Sequence, residues 1–229
     1  MARRVPDAGE FAALRADMVE RQLRRRGIHD ERVLFAMGMV PRERFVPDPY
    51  RRRSYADSAL PIGYDQTISQ PWIVAAICQA LQLDGEEGVL EVGTGSGYSA
   101  AVLAMLAREV VTIERVAELA AGARETLEEL GFASIEVVVG DGSAGLSGRA
   151  PFEAIAVHAT GPGPPPTLIG QLTIGGRLVI PIASRSADML TVFRRIDEVV
   201  DVSTGAGLER EIIGPCRFVP LIGSEGFSE

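Results

Sequence analysis

Apolar residues Phe11, Leu14, Met18 and Leu23 recur at helical spacing among charged neighbours, which predicts a surface helix over 11–26 ended by Gly27. Its last turn, Arg24, Arg25 and Arg26, reads as a solvated end. A second helix is expected after Asp30, whose side chain can cap it; it runs through Val33, Leu34 and Met37 and stops before Pro41. Between 41 and 63, four prolines and the run Arg51, Arg52, Arg53 break any period, so this stretch reads as a loop-rich cover. A third, strongly apolar helix follows Pro71 over 72–83.

From there the pattern changes. Short β-rich runs at 88–93, 109–113, 135–139, 154–157 and 177–180 alternate with helical segments. Strands that alternate with helices form a parallel sheet with helices on both faces, because right-handed crossovers place them there. The fold class is therefore α/β, a doubly wound, mostly parallel sheet beneath an N-terminal helical cover. Val116, Leu119, Ala120, Ala123, Leu127 and Leu130 form one stripe of the helix between the second and third strands, which Gly131 ends. Past Ser184 the runs 189–196 and 211–221 read as strands of an antiparallel edge. With no internal repeat and no long linker, one domain over 1–229 is expected: a cover over 1–83, an α/β core over 84–183 and a β edge over 184–229.

Composition narrows the function. The chain has 229 residues, 46% hydrophobic and 24% charged, a globular balance at which one domain per roughly 100–200 residues holds without staples. Lys plus Arg number 23 against 31 acidic residues, for a net charge of -8, so nucleic acid is not an expected partner. Asp7, Glu10, Arg15 and Asp17 follow Arg3 and Arg4 too closely for a signal peptide, and no run approaches a membrane span; a cytoplasmic monomer with no membrane partner is expected. Cys78 and Cys216, the two cysteines, lie in apolar stretches and read as buried, reduced thiols. No cluster of His, Cys and carboxylates has metal-ligand spacing.

Candidate chemistry concentrates at the strand ends. Gly93, Gly95 and Gly97 form a glycine-rich turn between the first core strand and the helix at 98–107, where glycine permits positive φ and close backbone approach to a ligand. Glu114 closes the second strand 21 positions after Gly93, where nucleotide-binding α/β proteins place the acid that accepts ribose hydroxyls. Asp141, between Gly140 and Gly142, closes the third strand with a second acid suited to an amino group. These tips together predict one adenosine pocket. The third glycine comes one position earlier than in dinucleotide turns, and Glu91 would repel a pyrophosphate but pair with the ammonium group of a methionine tail. S-adenosylmethionine is thus favoured, with NAD as the alternative.

The residues that carry a family resemblance extend over nearly the whole chain. They are the cover residues Val40, Pro41, Arg42, Glu43, Arg44, Phe45, Val46 and Pro47, then 59–63, then the string Gln66, Thr67, Ile68, Ser69, Gln70, Pro71. The turn at 90–98, Gly140 to Gly142, Gln171 and Leu172, 175–181 and 217–221 complete it. On these the chain resembles the protein-L-isoaspartate O-methyltransferases, and the 66–71 string is the most specific part. The resemblance implies a Rossmann-like methyltransferase fold of seven strands with 3-2-1-4-5 order in its parallel part. It also implies methylation of the α-carboxylate of L-isoaspartyl residues in damaged proteins and peptides, after which the ester closes to a succinimide and some aspartate is restored. It makes Ser69 the active-site serine, and Gln66, Thr67, Ile68, Ser69 itself, Glu91, Gly93, Gly95, Gly97, Glu114, Arg115, Asp141 and Gly142 the cofactor positions, with S-adenosylhomocysteine as product.

The side-chain inventory suits that chemistry. An acceptor carboxylate of reference pKa about 3.5 to 4 is ionised at pH 7, so attack on a sulfonium methyl needs no general base, and neither His29 nor His158 sits in a nucleophile-plus-base pattern. Ser69 reads as an orienting donor or as a helix cap beside Pro71. Two features depart from the family: Val157, His158, Ala159, Thr160 stand where Val-Thr-Ala-Ala is usual, followed by a proline-rich loop at 161–166, and Asp65 precedes Gln66. His158 and Thr67 are candidate acceptor contacts, with a satisfied strand-end histidine as the other reading of His158. Two other functions stay open: a tailoring enzyme that methylates aspartate in a particular peptide, and a module that binds an adenosine ligand without turnover.

Overall fold

The computed structural model describes residues 5–228; Arg3 and Arg4 lie outside the described residues. Helix α1 (Ala8–Asp17) starts earlier than its first apolar residue because Asp7 and Glu10 bond each other's backbone N–H groups in a capping box. It widens into a π-helical turn (Met18–Leu23), tightens over Arg24–Arg26 and ends at Gly27, φ +90°. Asp30 caps α2 (Glu31–Met39) through the N–H groups of Arg32 and Val33.

The stretch expected to be loop holds more order. Two short 3-10 turns (Arg42–Phe45 and Asp48–Arg53) lead to a hairpin of β1 (Leu60–Gly63) and β2 (Gln66–Ile68), turned by Gly63, Tyr64 and Asp65 at positive φ. Strands of four and three residues, the first with Pro61 inside it, are too short to show alternation. Helix α3 (Pro71–Leu81) then leads into the sheet, with Pro71 at a position where a missing N–H costs nothing.

The core runs β3 (Gly88–Val92), α4 (Tyr98–Ala104), β4 (Glu109–Glu114), α5 (Ala117–Glu129), β5 (Glu136–Val139), β6 (Phe152–Val157), α6 (Pro166–Gly170), β7 (Leu172–Ile182), β8 (Asp188–Arg195) and β9 (Leu208–Cys216). The seven strands lie in the order β5-β4-β3-β6-β7-β8-β9, the first five parallel and the last two antiparallel. The parallel part thus has the 3-2-1-4-5 order. Strand β7 begins well before 177, because Gly175 and Gly176 dilute its apolar pattern; β9 ends before 217, and the chain beyond it leaves the sheet. Helix α4 stops at Ala104 rather than 107.

Alternation divides the core in two. Val89, Val110, Ala154, Ala156 and Val179 face the cover helices, α3 and α4, whereas Leu90, Val92, Val111, Ile113, Ile155 and Val157 face α6 and Phe193. Cys78 is buried as expected, but Cys216, at the end of the edge strand, is half-exposed. Among the described residues no helix is long and apolar enough to cross a membrane.

Candidate functional site

The carboxyl ends of β3, β4 and β6 open into a cavity of about 400 Å³, closed by the hairpin on one side and by Val219 to Ile222 on another. Ligands of open α/β sheets bind at this edge, where the strand order reverses between β3 and β6. Gly93, at φ +93°, and Gly95, at φ +52°, bring bare backbone to the wall. Glu114 ends β4 beside them: its Oε2 accepts from Gly95 N–H at 2.9 Å and its Oε1 from Val116 N–H at 3.0 Å. Opposite stand Gln66, Thr67, Ile68 and Ser69, with Arg115 and Gly142 also on the wall. Asp65, one of the departures from the family, lines the cavity as well.

A second cavity of about 490 Å³ adjoins the first. Trp72, Cys216, Arg217 and Phe218 line it, and it shares Thr67, Ser69, His158 and Val219 with the first. Ser69 therefore stands at the junction. It does not cap α3, whose N-cap is Gln70, and its hydroxyl bonds no described residue. Its main-chain carbonyl accepts from Arg42 Nη2 at 2.6 Å, which links the serine to the cover.

Three expected cofactor positions fall elsewhere. Glu91 is fully buried and does not line the cavity, because strand alternation turns it with Val89 toward α4, opposite Thr112 and Ala156 in the register. The pairing with an ammonium group expected of it has no basis in this geometry. Thr112 donates to its Oε2 at 2.6 Å, and Thr94 and Thr112 hydroxyls lie 2.6 Å apart behind it. Gly97 packs instead between helices, where a Cβ would lie 3.2 Å from Leu127 Cγ. Asp141 opens onto a recess of about 390 Å³ beside the C-terminal segment, which shares Arg115 and Ile222 with the first cavity, and accepts from Ser143 N–H and from Ser224 N–H. Of the three acids, Glu114 lines the first cavity, Asp141 lines the recess adjoining it, and Glu91 lines neither.

His158 continues β6 into the wall of both cavities. Its Nε2 lies 2.7 Å from Ser99 Oγ and 3.4 Å from Glu91 Oε1. Burial pushes Glu91 up to about 7 and His158 down to about 4, since each loses hydration in its charged form. The ring is hydrogen-bonded at the strand end, and it faces both cavities. The proline-rich loop at 161–166 lines neither cavity. Sequence reasoning missed Thr94, Ser99 and the wall at 219–222 as parts of the site; the signal available for the wall was the resemblance over 217–221.

Comparison with known proteins bears on the same residues. A model of the protein-L-isoaspartate(D-aspartate) O-methyltransferase family matches residues 14–226. The protein-L-isoaspartate O-methyltransferase of Koribacter versatilis (strain Ellin345) is 52% identical over 223 residues, spanning 97% of each chain. That of Rhodopseudomonas palustris (strain ATCC BAA-98 / CGA009) is 48% identical over 213 residues, 93% of this chain and 94% of its own. A solved protein-L-isoaspartate O-methyltransferase matches with a TM-score of 0.78 at 27% identity, covering 93% of this chain and 67% of that one. A Plasmodium falciparum chain described as a beta-aspartate methyltransferase in complex with S-adenosyl-L-homocysteine shares the fold, with a TM-score of 0.76 at 22% identity over 91% of this chain and 98% of that one.

Proposed function

Because the chain belongs to the protein-L-isoaspartate(D-aspartate) O-methyltransferase family, we propose that its two adjoining cavities hold methyl donor and acceptor, with Ser69 between them. The reaction is S-adenosylmethionine-dependent methylation of the α-carboxylate of L-isoaspartyl residues in damaged proteins. S-adenosylmethionine supplies an electrophilic sulfonium methyl, and the products are a carboxyl methyl ester and S-adenosylhomocysteine.

The first cavity fits the donor. Its volume lies in the usual range for small-molecule sites, roughly 300–1,000 Å³, and a carboxylate at the β4 tip faces it. Gln66, Thr67, Ile68, Gly93, Gly95, Glu114, Arg115 and Gly142 would hold the donor, Glu114 by accepting from ribose hydroxyls. Ser69 orients the acceptor oxygen by donating its hydroxyl hydrogen. Thr67 and His158, shared by both cavities, would contact the acceptor. No proton has to be removed from an ionised carboxylate, so these residues contribute alignment and exclusion of water, which amounts to about 7–11 kcal/mol in favourable cases.

The observation that carries this reading is the junction of two cavities at Ser69. The reading includes a cytoplasmic monomer without a nucleic-acid partner; the net charge of -8 supports the last point. The test is incubation with labelled S-adenosylmethionine and matched peptides containing L-isoaspartate or L-aspartate, with base-labile methanol trapped. Label on the isoaspartyl peptide alone is expected. Label on the aspartyl peptide would point to tailoring, and label on neither to a binding module.

A further inference from the structure

A buried acid and a buried base stand side by side behind the junction, and the methyl transfer as derived uses neither charge. Glu91 Oε1 has no hydrogen-bond partner although the side chain is fully enclosed, and it lies 3.4 Å from His158 Nε2. Ser99 Oγ is 2.7 Å from the same nitrogen. A carboxylate with an orphaned buried oxygen is costly, so Glu91 rests protonated beside a neutral imidazole, and that ring becomes the stronger base only when an anion docks against it. Beyond them the His158 ring reaches both cavities next to Ser69.

Resting on the function proposed above, we infer that His158 binds the acceptor carboxylate as an imidazolium, taking its proton from Glu91 when the acceptor docks and returning it after methylation. The Glu91 O–H bond breaks and a His158 N–H bond forms at Nε2, so the pair as a whole gains no charge. The incoming carboxylate then meets a cation backed by a buried anion. Once the acceptor is an ester its charge is gone, the proton goes back to Glu91, and the neutral product loses its anchor. The carboxyl that burial holds near 7 is matched to this exchange at neutral pH. Other titratable or charged groups around the pair are Cys78 from α3, Tyr98 from α4, Glu114 and Arg115 at the end of β4, Tyr64 and Asp65 from the hairpin, Arg26 from the cover, Cys216 at the end of β9 and Arg217 beyond it.

The chain has two histidines, which makes the proton visible. With 15N,13C-histidine there are two imidazole signals, and His29→Gln, at an exposed position, assigns them. Spectra are taken at pH 7 with S-adenosylhomocysteine alone, then with a saturating L-isoaspartyl peptide, then with the same peptide as its α-methyl ester. The expected result is an imidazolium at His158 with the free acid only, abolished in Glu91→Gln. In turnover assays His158→Gln and Glu91→Gln should each raise the acceptor KM about 10- to 100-fold, the loss expected for one charge-assisted hydrogen bond, with the donor KM within about twofold. The wild-type acceptor KM should rise above pH 7, where the pair has lost the proton it lends. A His158 that stays neutral in the free-acid complex, or is already cationic before peptide is added, overturns the inference; so does an unchanged acceptor KM in His158→Gln. Wild-type methylation of the peptide alongside either result leaves the proposed function standing, whereas no methylation sinks both.

Discussion

Arg42 Nη2 donates to the main-chain carbonyl of Ser69 at 2.6 Å, and its Nε donates to Ser54 O at 2.7 Å, from a side chain with no exposed surface. The guanidinium also lies 4.8 Å from the centre of the Tyr98 ring on α4. Desolvation lowers its pKa to about 10, so it is still a cation at neutral pH. One buried fork therefore fixes the serine to both the cover and the first helix of the core, a task that suits planar, multiply donating arginine better than lysine.

Substituting that fork should loosen Ser69 before it disturbs the donor cavity. Arg42→Lys keeps a charge but cannot reproduce both carbonyl bonds, and leaving one buried carbonyl unpaired costs about 1–3 kcal/mol. Urea unfolding should show a loss of that size. Turnover of the isoaspartyl peptide should fall while S-adenosylhomocysteine affinity changes little. Equal losses of turnover and cofactor affinity would mean that Arg42 supports the whole domain and not the serine in particular.

Ser69→Ala tests the hydroxyl itself. Its oxygen bonds no described residue and faces both cavities, so removing it leaves no buried partner behind. Stability and S-adenosylhomocysteine affinity should stay close to wild type while kcat falls by tenfold or more, in line with about 1.5–3 kcal/mol for a hydrogen bond to a charged acceptor. Unchanged kcat would remove Ser69 from the chemistry.

Two glycines should respond to alanine with opposite sign. At Gly142, on the cavity wall, a Cβ would sit 2.5 Å from Val92 Cγ1 and 3.1 Å from Ile113 Cγ2, both in the packed β tips. Overpacking of that kind costs about 1–3 kcal/mol, and the displaced wall should shrink the thermal shift produced by S-adenosylhomocysteine. Gly122, exposed within α5, has nothing within 4 Å of its missing Cβ, so alanine there should stabilise by about 0.5–1 kcal/mol. A scan of melting temperatures with and without the ligand checks both; a stabilised Gly142→Ala would show that the wall yields freely.

The parts legible in the sequence were those set by neighbours in the chain. Asp30 before an apolar period, Gly131 after one and a glycine turn between a strand and a helix each act within a few residues, and each element formed near where it was read. The seven strands and their order came from the family resemblance, not from periodicity. What stayed hidden was set by distant partners. β3 is apolar on both faces, so nothing local told which way Glu91 turned; its environment is made by Thr112 and His158 on neighbouring strands. The donor to Asp141, Ser224, lies 83 residues away. The serine was readable from the 66–71 string, but the arginine that holds it was visible only as part of a motif in the cover.

Asp141 gives the C-terminal segment an acid-sensitive clasp. Ser224 N–H donates to its Oδ2 at 2.7 Å, and Ser143 donates to Oδ1 from N–H at 2.9 Å and from Oγ at 2.7 Å. Desolvation pushes the carboxyl up, but the bonds from Ser224 and Ser143 together outweigh it and hold the pKa at about 2. In the unfolded chain the value is about 3.9. A depressed folded value means that the contribution is full above the unfolded pKa and is lost as pH falls through about 2. Amide exchange at Ser224 and Glu225, corrected for its intrinsic pH dependence, should therefore become less protected between pH 4 and 2. Asp141→Asn should lower that protection already at pH 7 and remove its acid dependence. Because Leu221 and Ile222 wall the donor cavity, the same variant should weaken S-adenosylhomocysteine binding. Full protection of Ser224 in Asp141→Asn would mean that the segment is held by other contacts, among them the Glu225 carboxylate that accepts from Thr167 N–H at 2.8 Å.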